Sequence, residues 1–153
     1  MNGNMHATRQ DTELISALHV PGPAGAHVGN LKLFGRFVGS WHLDWTGHDA
    51  DGQPGEGQPP LAFHGSTIRF YDPAIDAWRS TWIEPVNGRV RRFIGRSSGE
   101  GIVLLSDEED PHLRWCFTDI TADSFTWRGE TSHDGGATWQ FDEQMLATRV
   151  NPG

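Results

Sequence analysis

The sequence predicts an all-β fold, an eight-stranded antiparallel up-and-down barrel with a short N-terminal plug helix, and three observations point to it. Glycine (19) and proline (9) are far too frequent among 153 residues for the interiors of a helical bundle. From Trp41 onward apolar residues alternate with polar ones at a period of two, the pattern of half-buried strands. Turn-forming clusters then recur at short intervals, close enough for successive strands to form hairpins. Closing such a meander removes its exposed edges and leaves an interior for side chains or one small ligand. A chain of this length is expected to form a single domain, and its seven Trp and eight Phe build a core from few, large residues.

Residues 1–29 read as an N-terminal arm with one short helix, in which Leu14, Ile15 and Leu18 follow Asp11 or Thr12 as the cap and Pro21-Gly22-Pro23 ends the run. Residues 30–149 form the barrel domain, and 150–153 a tail. The barrel opens with a helical stripe over Asn30 to Phe37, built on Leu31, Leu33, Phe34 and Phe37. The first strand carries Trp41, Leu43 and Trp45 on one face, and Asp49 to Pro60 is a long Gly/Pro-rich loop without apolar residues. Seven further strands are expected at Leu61–Tyr71, Trp78–Glu84, Arg89–Arg96, Ile102–Ser106, Leu113–Asp119, Ser124–Thr131 and Trp139–Thr148.

The formal charge of −8 sets an acidic field that disfavours nucleic acid and anionic membranes as partners. A lone cysteine, Cys116, cannot form an intramolecular disulfide, and no signal-like start precedes Gly39. No stretch reaches the roughly 20 apolar residues of a membrane span. The expected setting is the cytoplasm.

Ser132-His133-Asp134-Gly135-Gly136-Ala137-Thr138-Trp139 fits S-x-D-x-G-x-T-W, the Asp-box signature of sialidases and other β-propellers. One copy in a chain too short for several blades is a hairpin device, with Asp134 accepting backbone hydrogen bonds and Trp139 packing beneath. No glycosidase follows from it. Tyr71-Asp72-Pro73-Ala74-Ile75-Asp76-Ala77-Trp78 reads as a similar hairpin.

The segment Leu33-Phe34-Gly35-Arg36-Phe37-Val38-Gly39-Ser40-Trp41, an apolar helix running into Gly-x-Trp, resembles the opening of calycin-type bacterial β-barrel domains, the lipocalin and fatty-acid-binding-like group. With Arg114-Trp115, Phe125-Thr126-Trp127 and the Asp-box turn, the likeness covers residues 27–149. It implies that the tryptophan closes one barrel end beneath a helical plug and that a small molecule occupies the interior. Haem-binding, nitrobindin-like members carry Gly-x-Trp-x-Gly-x-Gly, whereas this chain reads Gly39-Ser40-Trp41-His42-Leu43-Asp44-Trp45. Their ligand is a late-strand histidine, and His112 and His133 fall at expected turns, so haem is the minor alternative and no cofactor is expected. The eight histidines show no metal-ligand spacing, and no metal site is expected.

Polar residues set in apolar strands nominate the chemistry. Trp139, Phe141, Glu143 and Met145 share one face in a regular strand, and pairing with Phe125, Trp127 and Gly129 would bring Glu143 inward beside the glycine; a slip of one residue would instead pair it with Arg128. A buried carboxyl suits proton transfer. Either Arg91 or Arg92 faces inward; Arg92, between Val90 and Ile94, is the choice, as a clamp for an anionic oxygen or as an ion-pair partner of Glu84 or Glu143. His64, mid-strand, is the third catalytic candidate, set against a structural role. Trp82, Trp115 and Trp127 are the expected walls of a substrate pocket, with Glu84 a further charge there.

These residues predict cofactor-independent acid–base chemistry of lyase, isomerase or cyclase type on a small, mostly apolar, aromatic or polyketide-like molecule. The alternatives are a carrier or sensor of the same ligand class and a purely structural or interaction protein, as a homodimer using the arm and the Asp49 to Pro60 loop.

Overall fold

The computed structural model describes residues 25–48, 54–56, 64–108 and 110–150. The chain divides into two compact units, Met1–Lys32 and Leu33–Gly153. A single 3-10 turn, Gly25–His27, leads into helix α1, Val28–Gly35. The arm helix expected around Leu14 and Leu18, and the start of the strand expected at Leu61, lie outside the described residues.

The second unit is an antiparallel sheet, strongly curled into a half-barrel. Eight strands of six to ten residues follow one another in up-and-down order: β1 Trp41–His48, β3 Ser66–Asp72, β4 Ala77–Glu84, β5 Arg89–Ser98, β6 Gly101–Ser106, β7 His112–Thr118, β8 Ser124–Ser132 and β9 Gln140–Arg149. A ninth piece, β2 Pro54–Glu56, lies inside the segment expected to be only loop and pairs with β1. The sheet order is β2-β1-β9-β8-β7-β6-β5-β4-β3, so first and last long strands are neighbours. Among the described residues no ladder joins β2 to β3, and the sheet keeps two edges.

Hydrogen bonding from short polar side chains makes the hairpins. Before β4, Asp72 accepts from the Ala74 N–H (3.0 Å) and from Arg79 Nε (2.7 Å). The Asp-box turn is tighter. Asp134 accepts from the Thr138 N–H (2.8 Å), the Thr138 hydroxyl (2.6 Å) and the Ser132 hydroxyl (2.7 Å), while Ser132 Oγ accepts from the Gly136 N–H (2.8 Å). Gly135 (φ 68°) and Gly136 (φ 90°) occupy backbone space that side chains disfavour.

Alternation decides what is buried. Trp78, Ser80, Trp82 and Glu84 of β4, Phe93 and Gly95 of β5, and Ile102, Leu104 and Ser106 of β6 share the concave face. At one end the C-terminal part of α1 and the residues after it pack on this face. Phe34 meets Trp78 (ring centroids 5.0 Å apart), while Phe37 meets Phe117 (5.0 Å) and Phe125 (4.7 Å). Trp41 donates its indole N–H to the Phe37 carbonyl (2.9 Å) and packs on Phe125. Arg149 ties the same end together, donating to the carbonyls of Val38, Arg36 and Ala122 (2.9, 3.1 and 2.7 Å) while its guanidinium covers the Trp41 ring. The short helix expected before the first strand is present, and the residues that contact Trp41 are Phe37, Phe125 and Arg149, which lie outside it.

The period of two fails once, between β8 and β9. Gly129 pairs with Glu143, but the next residue, Glu130, pairs with Phe141, leaving Asp142 as a bulge. Trp139 and Phe141, expected to share a face with Glu143, are therefore turned to the convex side. There Arg114 lies over Trp139 (4.2 Å) and Arg128 over Phe141 (5.2 Å), and both arginines pair with Glu130.

Neighbouring residues of β6 test the assignment of faces. Leu104 is 0% exposed and Leu105 39% exposed, so Leu104→Ala should cost about 2–5 kcal/mol in urea unfolding and Leu105→Ala much less. At the Asp-box turn, hydrogen bonds from the Thr138 side chain and backbone and from Ser132 hold the Asp134 carboxyl far below its ordinary value. A depressed folded-state pKa adds stability that is present above the unfolded pKa and is lost as pH falls. Asp134→Asn should thus melt below the wild type at neutral pH, with the gap closing in acid.

Candidate functional site

The concave face encloses an open cavity of about 750 Å³ within the Leu33–Gly153 unit. Its wall is aromatic at the centre. Trp115 is pressed against Phe93 (ring centroids 4.0 Å apart), with Trp127 at 5.3 Å and Trp82 at 6.0 Å. Trp82, Trp115 and Trp127, the three tryptophans expected to wall a pocket, all line it. Trp45 joins them.

Register carries Glu143 into this cavity. Its Cα partners are Gly47 on β1 and Gly129 on β8, so glycines flank it on both sides. A Cβ at Gly129 would stand 3.0 Å from the Trp127 ring and 3.3 Å from Glu143 Cγ, and one at Gly47 would overlap the Trp45 ring. Backbone without side chains is what allows the two indoles and the carboxyl to occupy one level of the sheet. Trp45 donates its indole N–H to Glu143 Oε2 at 2.6 Å. Burial pushes the Glu143 carboxyl above its ordinary value; the Trp45 hydrogen bond and Arg89 oppose that rise, and neighbouring Asp142 adds to it. The bulge also sends Asp142 to the cavity, so two consecutive residues reach the same space.

The other expected residues are placed differently. On β5 it is Arg91, not Arg92, that lines the cavity. Phe93 is buried on the concave side, and the parity of the strand puts Arg91 with it and Arg92 on the convex side, where Arg92 pairs with Asp107 (2.9 Å). Arg91 Nη1 lies 3.5 Å from Glu108. Glu84 is 1% exposed but serves its own turn. Its carboxylate accepts from the Val86 N–H (2.7 Å), the Asn87 N–H (3.0 Å) and Asn87 Nδ2 (2.8 Å). Burial alone would raise its pKa; the Asn87 and Val86 hydrogen bonds and Arg89 outweigh burial and hold it below the ordinary value. His64 is exposed and precedes β3 rather than sitting within it. No histidine lines the cavity among the described residues. His112 stacks on Trp139 and His133 pairs with Asp110 (2.9 Å), so neither late histidine offers an axial ligand to a haem inside.

Sequence reasoning missed the arginine wall. Arg69 of β3 and Arg89 of β5 line the cavity with Arg91. On β3 the usual alternation is inverted: Ile68 and Phe70 are exposed while Arg69 turns inward, its guanidinium 5.0 Å from the Phe34 ring and 6.0 Å from the Phe117 ring. Arg69 Nε is buried without a hydrogen-bond partner among the described residues, and burial lowers its pKa from the ordinary arginine value. Directly opposite in the register is Ser80, 2% exposed, whose hydroxyl also lacks a partner. An unsatisfied buried hydroxyl costs about 1–3 kcal/mol. A signal existed in the sequence: an arginine between two large apolar residues has to face away from them.

No family model matches the chain, and no curated protein matches it.

The Trp45 contact gives a testable consequence. Removing the indole donor in Trp45→Phe withdraws a hydrogen bond that favours the charged carboxylate, so Glu143 should titrate higher still. NMR of carboxyl-labelled glutamate measures both values. A carboxyl with a raised folded-state pKa favours folding below its unfolded pKa and loses that contribution as pH rises through the folded value. Glu143→Gln should consequently gain stability relative to the wild type between acidic and neutral pH.

Proposed function

We propose that the protein binds a small, mostly apolar molecule of aromatic or polyketide-like character in the cavity and performs cofactor-independent acid–base chemistry on it, of lyase, isomerase or cyclase type. The observation that carries this reading is Glu143, a carboxyl seated on an indole N–H within an aromatic cavity and pushed toward a higher pKa by burial. Such a carboxylate is a stronger base than an exposed one, and its conjugate acid can return the proton. Glu143 removes a proton from carbon next to a carbonyl, and the electron pair moves to the carbonyl oxygen. The arginine wall receives the oxyanion, a role that passes from Arg92 to Arg89 and Arg91. Trp82, Trp115 and Trp127 hold a flat substrate and exclude water.

A carrier or sensor is the second reading, favoured by one observation: Trp45 already satisfies Glu143 without a substrate. Kinship with calycin barrels belongs to the same proposal. Gly39-Ser40-Trp41 beneath an apolar helical segment and the up-and-down strand order support it. A cytoplasmic protein with a small hydrophobic ligand as its partner is the setting this reading implies.

The test follows 2-acetylnaphthalene in deuterated buffer by proton NMR. Wild-type protein should accelerate loss of the methyl signal as deuterium enters. Glu143→Gln should retain ligand-induced tryptophan quenching yet slow the exchange about 100-fold or more. Binding by the wild type with no acceleration would end the enzymatic reading and leave the carrier.

A further inference from the structure

The geometry points to a carboxylate subsite at Arg69, backed by the buried Ser80 on the neighbouring strand, so that the ligand of this cavity is an aromatic acid held by its anionic end; this rests on the reading of the cavity as a ligand site. Two buried hydrogen-bond donors, Arg69 Nε–H and Ser80 Oγ–H, have no acceptor among the described residues. They are direct partners across the β3–β4 ladder and share the concave face. Of the two, Arg69 lines the cavity, and its planar guanidinium is the fork that matches an acceptor with two oxygens. The acceptor has to be anionic, since Arg69 makes no ion pair among the described residues and is instead sandwiched near Phe34 and Phe117. A buried cation without a counter-ion is costly to keep unless something supplies the missing charge.

The rest of the cavity agrees with that polarity. Arg89 and Arg91 extend the cationic side along β5, while Asp142 and Glu143 hold the carboxylates on β9. An acid bound at Arg69 is kept away from the β9 carboxylates by repulsion. Its ring then lies against Trp115 and its neighbours, and its far end faces Glu143. Carboxylate is preferred over phosphate by size and setting. The subsite has a planar guanidinium beside two phenylalanine rings, fit for a planar group with two oxygens and a flat apolar body.

Tryptophan quenching with two probes of one shape decides the matter: 2-naphthoate, and its uncharged counterpart 2-naphthamide. Wild-type protein should bind 2-naphthoate at least tenfold more tightly. Arg69→Met should erase that preference while leaving 2-naphthamide binding unchanged, and Ser80→Ala should reduce it severalfold. Ligand-free Arg69→Met should also melt no lower than the wild type, because it removes an uncompensated charge. Should Arg69→Met fail to fold, Arg69→Lys and Ser80→Ala carry the comparison, each with a weakened preference. Equal binding of the two probes by the wild type overturns the carboxylate subsite and spares the apolar cavity. A preference that survives in both Arg69 and Ser80 variants overturns it too, moving the anion to Arg89 and Arg91. Failure of both probes to bind overturns the cavity reading itself.

Discussion

Everything at the candidate site depends on the parity of one ladder. In an antiparallel pair each residue commits its neighbours to the opposite face, and the Gly129–Glu143 pairing fixes which residues of β8 and β9 look into the curl of the sheet. Trp127 and Met145 follow on the concave side, as do Trp115 on β7 and Trp45 on β1, each paired residue by residue to its neighbour. The bulge at Asp142 then breaks the parity where the cavity needs a polar rim. Had the ladder continued without it, two large aromatic rings would fill that place. The convex side receives them instead, and its arginines cover them.

Strand order and most strand positions were legible in the sequence because turn chemistry is local. Asp72, Asp134 and the glycines announce their hairpins, and each hairpin forces an antiparallel neighbour. The walls of the cavity were legible for the same kind of reason: Trp82, Trp115 and Trp127 sit in the middles of strands, where one face is always covered. Closure was not legible. It depends on how strongly the whole sheet twists and staggers, which no local turn or alternation records.

The errors of face on β3 and β5 share one physical cause. Assigning a face from a strand's own pattern assumes that apolar residues point in. The convex face of this half-barrel carries Ile68, Phe70, Val90 and Leu105, all exposed, and the concave face carries three arginines. On β5 the aliphatic pair Val90 and Ile94 pulled the assignment toward Arg92, whereas the single ring of Phe93, buried beside Trp115, decides the parity. Glu84 misled in another way. It is as deeply buried as any core residue, but the turn that follows consumes its hydrogen bonds. Neither Arg69 nor Ser80 could be paired from sequence, since their meeting depends on the β3–β4 register.

The bulged hairpin makes the count of residues between Gly129 and Glu143 as consequential as their identity. Removing Asp142 would straighten β9 with Phe141 still opposite Glu130, so the rings of Trp139 and Phe141 would keep their arginine cover outside and the pocket would lose its second carboxylate. Adding a residue would displace the glutamate from its glycine. Substitutions along this stretch change a surface, but a one-residue slip of the ladder exchanges the inside of the pocket for its outside. The pairing of one glutamate with one glycine thus decides which chemistry the curl of the sheet encloses.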